Sequence, residues 1–212
     1  MTQKAVNPGR KGRPSAEDLR QKMTTVLEVA KQQFATHGYR AVTMRGVADQ
    51  ARVSTRTLYN WYADKLALFK ACLSAGSGHM EVPQINTGLP VENALRVYAA
   101  ELMRYLSRDT SYGLGLVVYR EGSEFPEIAA AAYANQNTWL VEPLAAYLRR
   151  QGLEQEGADT NTKLFISMAL SEFQRRLAFG RELQSDQEIE EHSAWVAKLF
   201  LKGAVAMSAQ DR

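Results

Sequence analysis

The stretch MRGVADQARVSTRTLYNWYADKLALF, residues 44–69, sets two short apolar-periodic segments on either side of Ala51-Arg52-Val53-Ser54, with almost no room for a loop. Thr43 precedes the first segment, Met44 to Ala51, and Ser54 precedes the second, Thr55 to about Tyr62. Both are hydroxyl residues of the kind whose side-chain oxygen caps a helix N-terminus. Val47, Ala48 and Ala51 share one face of the first helix, and Val53 fills the corner. Leu58, Trp61 and Tyr62 recur at three- and four-residue spacing on the second helix. Two helices joined this tightly cross at a wide angle, so they need a small residue where they touch and a third helix to pin both. The opposite face of the second helix carries Thr55, Arg56, Tyr59 and Asn60. These residue types read groove edges or hold phosphates: Arg forks onto guanine and Asn onto adenine. Tyr59 and Lys65 suit phosphate contacts that set orientation.

Upstream, Leu19, Met23, Val26, Leu27, Ala30 and Phe34 recur at helical spacing, which predicts one long helix from Ala16 that stops near Gly38. Ser15 is its expected N-cap, with Asp18 completing an approximate capping box. Downstream, Asp64 is expected to cap a further helix through Leu66, Leu68, Phe69, Cys72 and Leu73. Residues 1–15 lack periodicity and hold Arg10, Lys11 and Arg13 among glycine and proline, which reads as a flexible basic arm. The charge is divided accordingly. Residues 1–80 carry 13 Lys+Arg against 5 Asp+Glu, whereas the rest carries 13 against 18, so a formal net charge of +3 hides a basic N-terminal third. That third suits a polyanion, either nucleic acid or an anionic membrane surface. The arm lacks bulky apolar anchors, which favours nucleic acid.

The segment SAGSGHMEVPQINTGLP, residues 74–90, reads as a boundary, and the working division is an arm (1–15), a helix-turn-helix domain (16–75) and a larger helical domain (76–212). Beyond the boundary the patterning is helical throughout. One helix runs through Leu95, Tyr98, Leu102, Tyr105 and Leu106, and a short one spans Gly113 to Tyr119. A longer helix runs from about Pro126 to Arg150 with a kink at Pro143. Two final helices, Leu164–Phe179 and Ile189–Ala206, complete the chain. No alternating strand pattern is present, so the fold class is all-α. The chain shows neither a signal-peptide core nor a membrane-spanning apolar run, and a single cysteine, Cys72, rules out intrachain disulfides. A soluble protein of the reducing cytoplasm is expected.

Thr43-Met44-Arg45-x-Val47-Ala48, Val53-Ser54-x-x-Thr57-Leu58-Tyr59 and Lys65-x-x-Leu68 together resemble the signature of TetR-family transcription regulators, over about residues 19–73. The resemblance implies phosphate contacts by Thr43, Arg45, Tyr59 and Lys65, base contacts by Thr55, Arg56 and Thr57, and Asn60 and Trp61 reaching either. Arg10, Lys11 and Arg13 would enter an adjacent minor groove, as such arms do in other helix-turn-helix proteins. Three positions depart from the family: Arg52 stands where the turn usually has glycine, Tyr62 where a buried Phe is usual, and Trp61 at a position that is often His. Residues Arg120 to Ile128 are similar to a segment of the AcrR/AefR-like branch, where it opens a helix beside the effector cavity.

The family further implies a repressor that is released from a palindromic operator by a small-molecule effector. Its last two helices usually pair with those of a second subunit, which puts Leu164, Met168, Trp195 and Leu199 at a homodimer interface. Two-fold pairing also follows from the DNA, because successive major grooves lie roughly 34–36 Å apart. Tyr105, Tyr119, Trp139 and Phe173, on central helices, are the candidate effector contacts, against the alternative that such side chains are ordinary core. The other readings are a ligand-independent DNA-binding or architectural regulator and an enzyme. His37, His79 and His192 have no metal-ligand spacing, and neither a phosphate loop nor a nucleophile elbow appears, so no catalytic residue, metal or cofactor is assigned.

Overall fold

The caps that the sequence points to organise the first half of the chain. In the computed structural model, which describes residues 16–78 and 84–210, Thr43 Oγ1 accepts from the Gly46 amide and Ser54 Oγ from that of Thr57. These caps start α2 (Met44–Gln50) and α3 (Thr55–Trp61). Asp64 Oδ1 accepts from the Ala67 amide at 2.7 Å and starts α4 (Lys65–Gly78). The expected cap of the first helix, Ser15, and the arm lie outside the described residues.

The first helix, α1 (Ala16–Ala41), does not stop at Gly38. It breaks there, with φ 82° and ψ 169°, and resumes for a last turn. Val26, Ala30 and Phe34 recur every four residues on its buried face, and Gln33 ties that face to α2 by donating to the Gly46 carbonyl and to Gln50. Around Phe34 the core closes with Val47, Ala48, Leu58, Tyr62, Leu68 and Phe69. Phe34 and Phe69 meet edge to face with ring centroids 5.1 Å apart, an arrangement that aromatic quadrupoles favour. This core does not end at the expected domain boundary, because Leu114, Val117 and Ile128 from the second half belong to it.

The second half comprises α5 (Val91–Leu106), α6 (Asp109–Glu121), α7 (Pro126–Gln136), α8 (Glu142–Arg150), α9 (Thr160–Phe179) and α10 (Asp186–Gln210). Pro126 sits in the first turn of α7, where its missing N–H costs nothing. The kink expected at Pro143 takes the form of a π turn over Asn137–Val141. Pro143 has no amide to offer the Trp139 carbonyl, and a wider turn before it re-registers the backbone. A second core lies between α5, α8, α9 and α10, with Leu95, Tyr98, Leu102, Tyr147, Phe165, Val196 and Phe200 fully or almost fully buried. The described residues form helices and loops, an all-α fold, and none of their helices is long and apolar enough to cross a membrane.

Candidate nucleic-acid interface and effector cavity

The turn between α2 and α3 is made by Ala51, Arg52 and Val53. Arg52 has φ 56° and is the only non-glycine residue at positive φ among the described residues. The Arg52 amide donates to the Asp49 carbonyl and the Val53 amide to that of Ala48, which swings the chain into α3. Arg52 itself is exposed. On α3, Leu58 is fully buried and Trp61 packs half-buried against the same core, so the helix is anchored along one side. Arg56 and Asn60 are exposed on it, Tyr59 is 51% exposed, and Thr55 is half-buried. Thr57 is less available: its hydroxyl lies 2.7 Å from the Ser54 hydroxyl and its amide donates to that same oxygen.

Thr43 and Arg45 are also exposed; Thr43 spends its hydroxyl on the α2 cap, and Arg45 makes only a long, exposed contact with Asp49, 3.8 Å. Lys65 is placed differently from the others. Its ammonium donates to the carbonyls of Tyr39 (2.8 Å) and Arg40 (3.3 Å) and lies 4.5 Å from the Tyr39 ring centroid. It therefore closes the end of α1, and burial pulls its pKa down while Glu121 partly restores it. Arg10, Lys11 and Arg13 lie outside the described residues. Tyr62 is 8% exposed, its phenol pushed up by burial, and no buried side-chain oxygen or nitrogen among the described residues lacks a partner.

The last turn of α1 is gripped from both domains. After the break at Gly38, the amides of Tyr39 and Arg40 donate to the Glu121 carboxylate at the end of α6, at 3.0 and 2.8 Å. Arg40 also pairs with Glu124 and lies over the Phe125 ring, which in turn meets Tyr39 edge to face at 5.2 Å. A Cβ at position 38 would overlap the Glu121 carboxylate. Farther along, Gly113 lets α6 lie directly on Ala35 of α1, where a Cβ would again overlap. Tyr39 and Arg40 thus give their amides to Glu121 of α6 and their carbonyls to Lys65 of α4. Sequence reasoning missed this corner; Gly38 was its one signal.

A cavity of about 330 Å3 opens beside this junction, near the low end of the ~300–1,000 Å3 usual for small-molecule sites. Tyr105, Trp139 and Phe173, three of the candidate effector contacts, line it, with Leu114, Val118 and Leu170 among the apolar walls. Tyr119 does not: it is 62% exposed, because a residue next to the cavity-lining Val118 on α6 is turned about 100° away around the helix. Lys31 of α1 and Cys72 and Leu73 of α4 form part of the wall, so the cavity touches the helix-turn-helix domain directly. Burial pushes the Cys72 thiol up to about 12, partly opposed by the Lys31 charge, which makes it an unreactive apolar wall group. Other large side chains of the second half lie away from the cavity: Tyr98 and Met103 are buried core, and Tyr133 is 58% exposed.

Leu164, Trp195 and Leu199 are 51, 62 and 44% exposed, and Met168 is half-buried one turn from Leu164. The two apolar pairs, each at four-residue spacing, lie on α9 and α10, which pack on each other. Among the described residues no cluster of three or more potential metal ligands occurs. His192 donates from Nε2 towards the carbonyls of Met168 and Ala169, a tie within the fold.

A helix-turn-helix carried on a larger helical domain defines a DNA-binding regulator. Residues 26–72 match the family described as bacterial regulatory proteins of the tetR family, and residues 93–203 match the AefR-like transcriptional repressor C-terminal domain. The chain belongs to the TetR family and is a DNA-binding transcriptional regulator. It is 27% identical over 128 residues to YdeS of Bacillus subtilis (strain 168), an uncharacterized HTH-type transcriptional regulator, a match spanning 60% of this chain and 56% of YdeS. A TetR-family regulator from Mesorhizobium loti has the same fold (TM-score 0.72, 22% identity, 86% of this chain and 96% of that one). The flavonoid-responsive regulator FrrA is 26% identical with a TM-score of 0.65, covering 87% of this chain and 97% of FrrA.

Proposed function

We propose that the protein is a homodimeric, effector-released repressor that holds a palindromic operator with α3 of each subunit. The observation that carries this reading is the junction: one small cavity is walled by α1 and α4 of the helix-turn-helix domain and by α6 of the other. The same α6 holds the last turn of α1 through Glu121. A ligand that rearranges α6 therefore acts on α1 without an intermediary, and its differential affinity for two arrangements shifts operator binding. The responsiveness of FrrA to flavonoids supports a small-molecule effector. Arg56, Tyr59, Asn60 and Thr55 are the contacts on α3, with Thr43 and Arg45 on phosphates and Arg52 beside them. Thr57, Trp61 and Lys65 contribute chiefly by holding α3 and α1 in place, since their polar atoms or rings are already engaged. On this reading the domain division near residue 75 separates reading from sensing, the protein works in the cytoplasm, and no catalytic step is involved.

The test is fluorescence anisotropy of the purified protein on duplexes from the DNA flanking its own gene, over a salt series, beside an Arg56→Ala, Tyr59→Ala variant. Tight binding to one near-palindromic segment that falls steeply with salt, and is lost in the variant, is the expected result. Binding that is weak and indifferent to sequence at every salt concentration sinks the reading.

A further inference from the structure

The cavity walls are chemically uneven. Most are carbon: Leu73, Leu106, Leu114, Val118, Phe173 and Leu177 are typical of them. Only one charged side chain lines the cavity, Lys31, and no carboxylate does. Lys31 makes no hydrogen bond or ion pair with any described residue, although other basic side chains of the domain, such as Lys65 and Arg40, are engaged. Ser111, Gln136 and Gln174, also on the wall, have hydrogen-bonding groups with no partner among the described residues. The fold thus holds a half-buried lysine and several open polar groups at an apolar cavity, with no partner for them among the described residues.

We propose that the cavity takes an organic acid, a compact apolar body bearing one anionic group that pairs with Lys31. This rests on the reading of the cavity as the effector site and names the ligand class for it. A cation would meet the Lys31 charge with no carboxylate to offset it. A neutral ligand would strip water from the ammonium and return no charge-assisted bond. An acid supplies that bond while its body covers the apolar wall. Lys31 lies on α1, two turns before the Gly38 break, so the anionic group ties the ligand to the helix whose end α6 holds.

Calorimetry on the full-length protein without DNA tests this, using six probes: 2-naphthoate and octanoate, their neutral amides, and 2-naphthylmethylammonium and octylammonium. At least one acid is expected to bind about tenfold or more tighter than its amide, as a charge-assisted bond implies, with neither cation binding. In Lys31→Met the ratio of acid to amide affinity should fall towards one, and in Lys31→Arg it should persist, both variants keeping the wild-type circular dichroism. The naphthyl and octyl arms tell a ring-bearing acid from an aliphatic one. Equal affinity for acid and amide, binding of a cation, survival of the preference in Lys31→Met, or binding of no probe each overturns the inference. Operator titration separates the two readings. An acid that needs Lys31 yet leaves operator affinity unchanged sinks effector release alone, whereas release by a neutral compound with no acid bound sinks this inference alone.

Discussion

Arg52 occupies the left-handed region with a side chain that the conformation disfavours, at a cost of roughly 1–2 kcal/mol. Its guanidinium makes no hydrogen bond or ion pair with any described residue, so no such bond offsets the cost. Arg52→Gly is therefore expected to raise the melting temperature by a few degrees, part of the relieved strain being offset by the freer unfolded chain. If Arg52 touches phosphate, the same variant weakens operator binding uniformly across sequences, and the slope of log K against log salt falls by about one. A more stable variant with an unchanged slope leaves Arg52 without a DNA role. At this scale the sequence was legible wherever chemistry is local: the hydroxyls of Thr43 and Ser54 and the carboxylate of Asp64 cap the helices they precede, each within three residues. Lys65 was not legible, because the carbonyls it serves lie 25 and 26 residues away and no local pattern encodes them.

Whole elements meet at corners that depend on few atoms. The backbone of Gly38 lies in a region essentially reserved for glycine, and a methyl group there would also displace the Glu121 carboxylate from the Tyr39 and Arg40 amides. Gly38→Ala is expected to cost roughly 2–3 kcal/mol, about 4–10 °C in melting temperature. Glu121→Ala should cost about 1–2 kcal/mol for the two unmade bonds. Because both substitutions break the same clasp, the double variant should lose clearly less than the sum; strict additivity would show that the clasp carries no shared energy. Arg176 of α9 adds an ion pair to Glu188 of α10, 2.7 Å, to the apolar and His192 contacts between these helices. Glu172 is held at about 2 by Arg175 and Arg176, and Glu188 at about 2 by Arg176 and by the Ser185 amide and hydroxyl. Their folded pKa values lie below the ordinary 4.5, so this stability is present above pH 4.5 and is lost as pH falls towards 2. Arg176→Met should flatten that acid limb in a thermal melt series, and a limb as steep as that of the wild type would place its origin in other carboxylates. Helix order was legible from apolar spacing, but bounds were less so: α1 runs past Gly38 to Ala41, and α6 spans Asp109–Glu121 rather than Gly113–Tyr119. The clasp was not, since Gly38 and Glu121 are 83 residues apart; nor was the π turn, where proline marks a kink without specifying its form.

For the whole molecule the charge division sets the terms. A basic N-terminal third carrying one seven-residue reading helix can address only a few base pairs, and the acidic remainder adds no DNA affinity of its own. In the proposed dimer two copies would sit roughly 34–36 Å apart, and the apolar pairs Leu164/Met168 and Trp195/Leu199, exposed but for the half-buried Met168, would be the paired surface. The sequence offered this surface through the family resemblance, on helices whose apolar residues serve the core as well. The structure buries Phe165, Val196 and Phe200 and leaves Trp195 and Leu199 exposed. A Trp195→Glu, Leu199→Glu variant puts charge where two such faces would meet without touching the buried set. It should sediment as a monomer with its helical content intact. On a full palindrome it should bind at least about 100-fold more weakly than the wild type, the effective-concentration advantage of a linked second site, while its affinity for an isolated half-site stays the same. If it remains a dimer of unchanged operator affinity, the subunits join through another face, and the spacing of the two reading helices must be derived from that face instead.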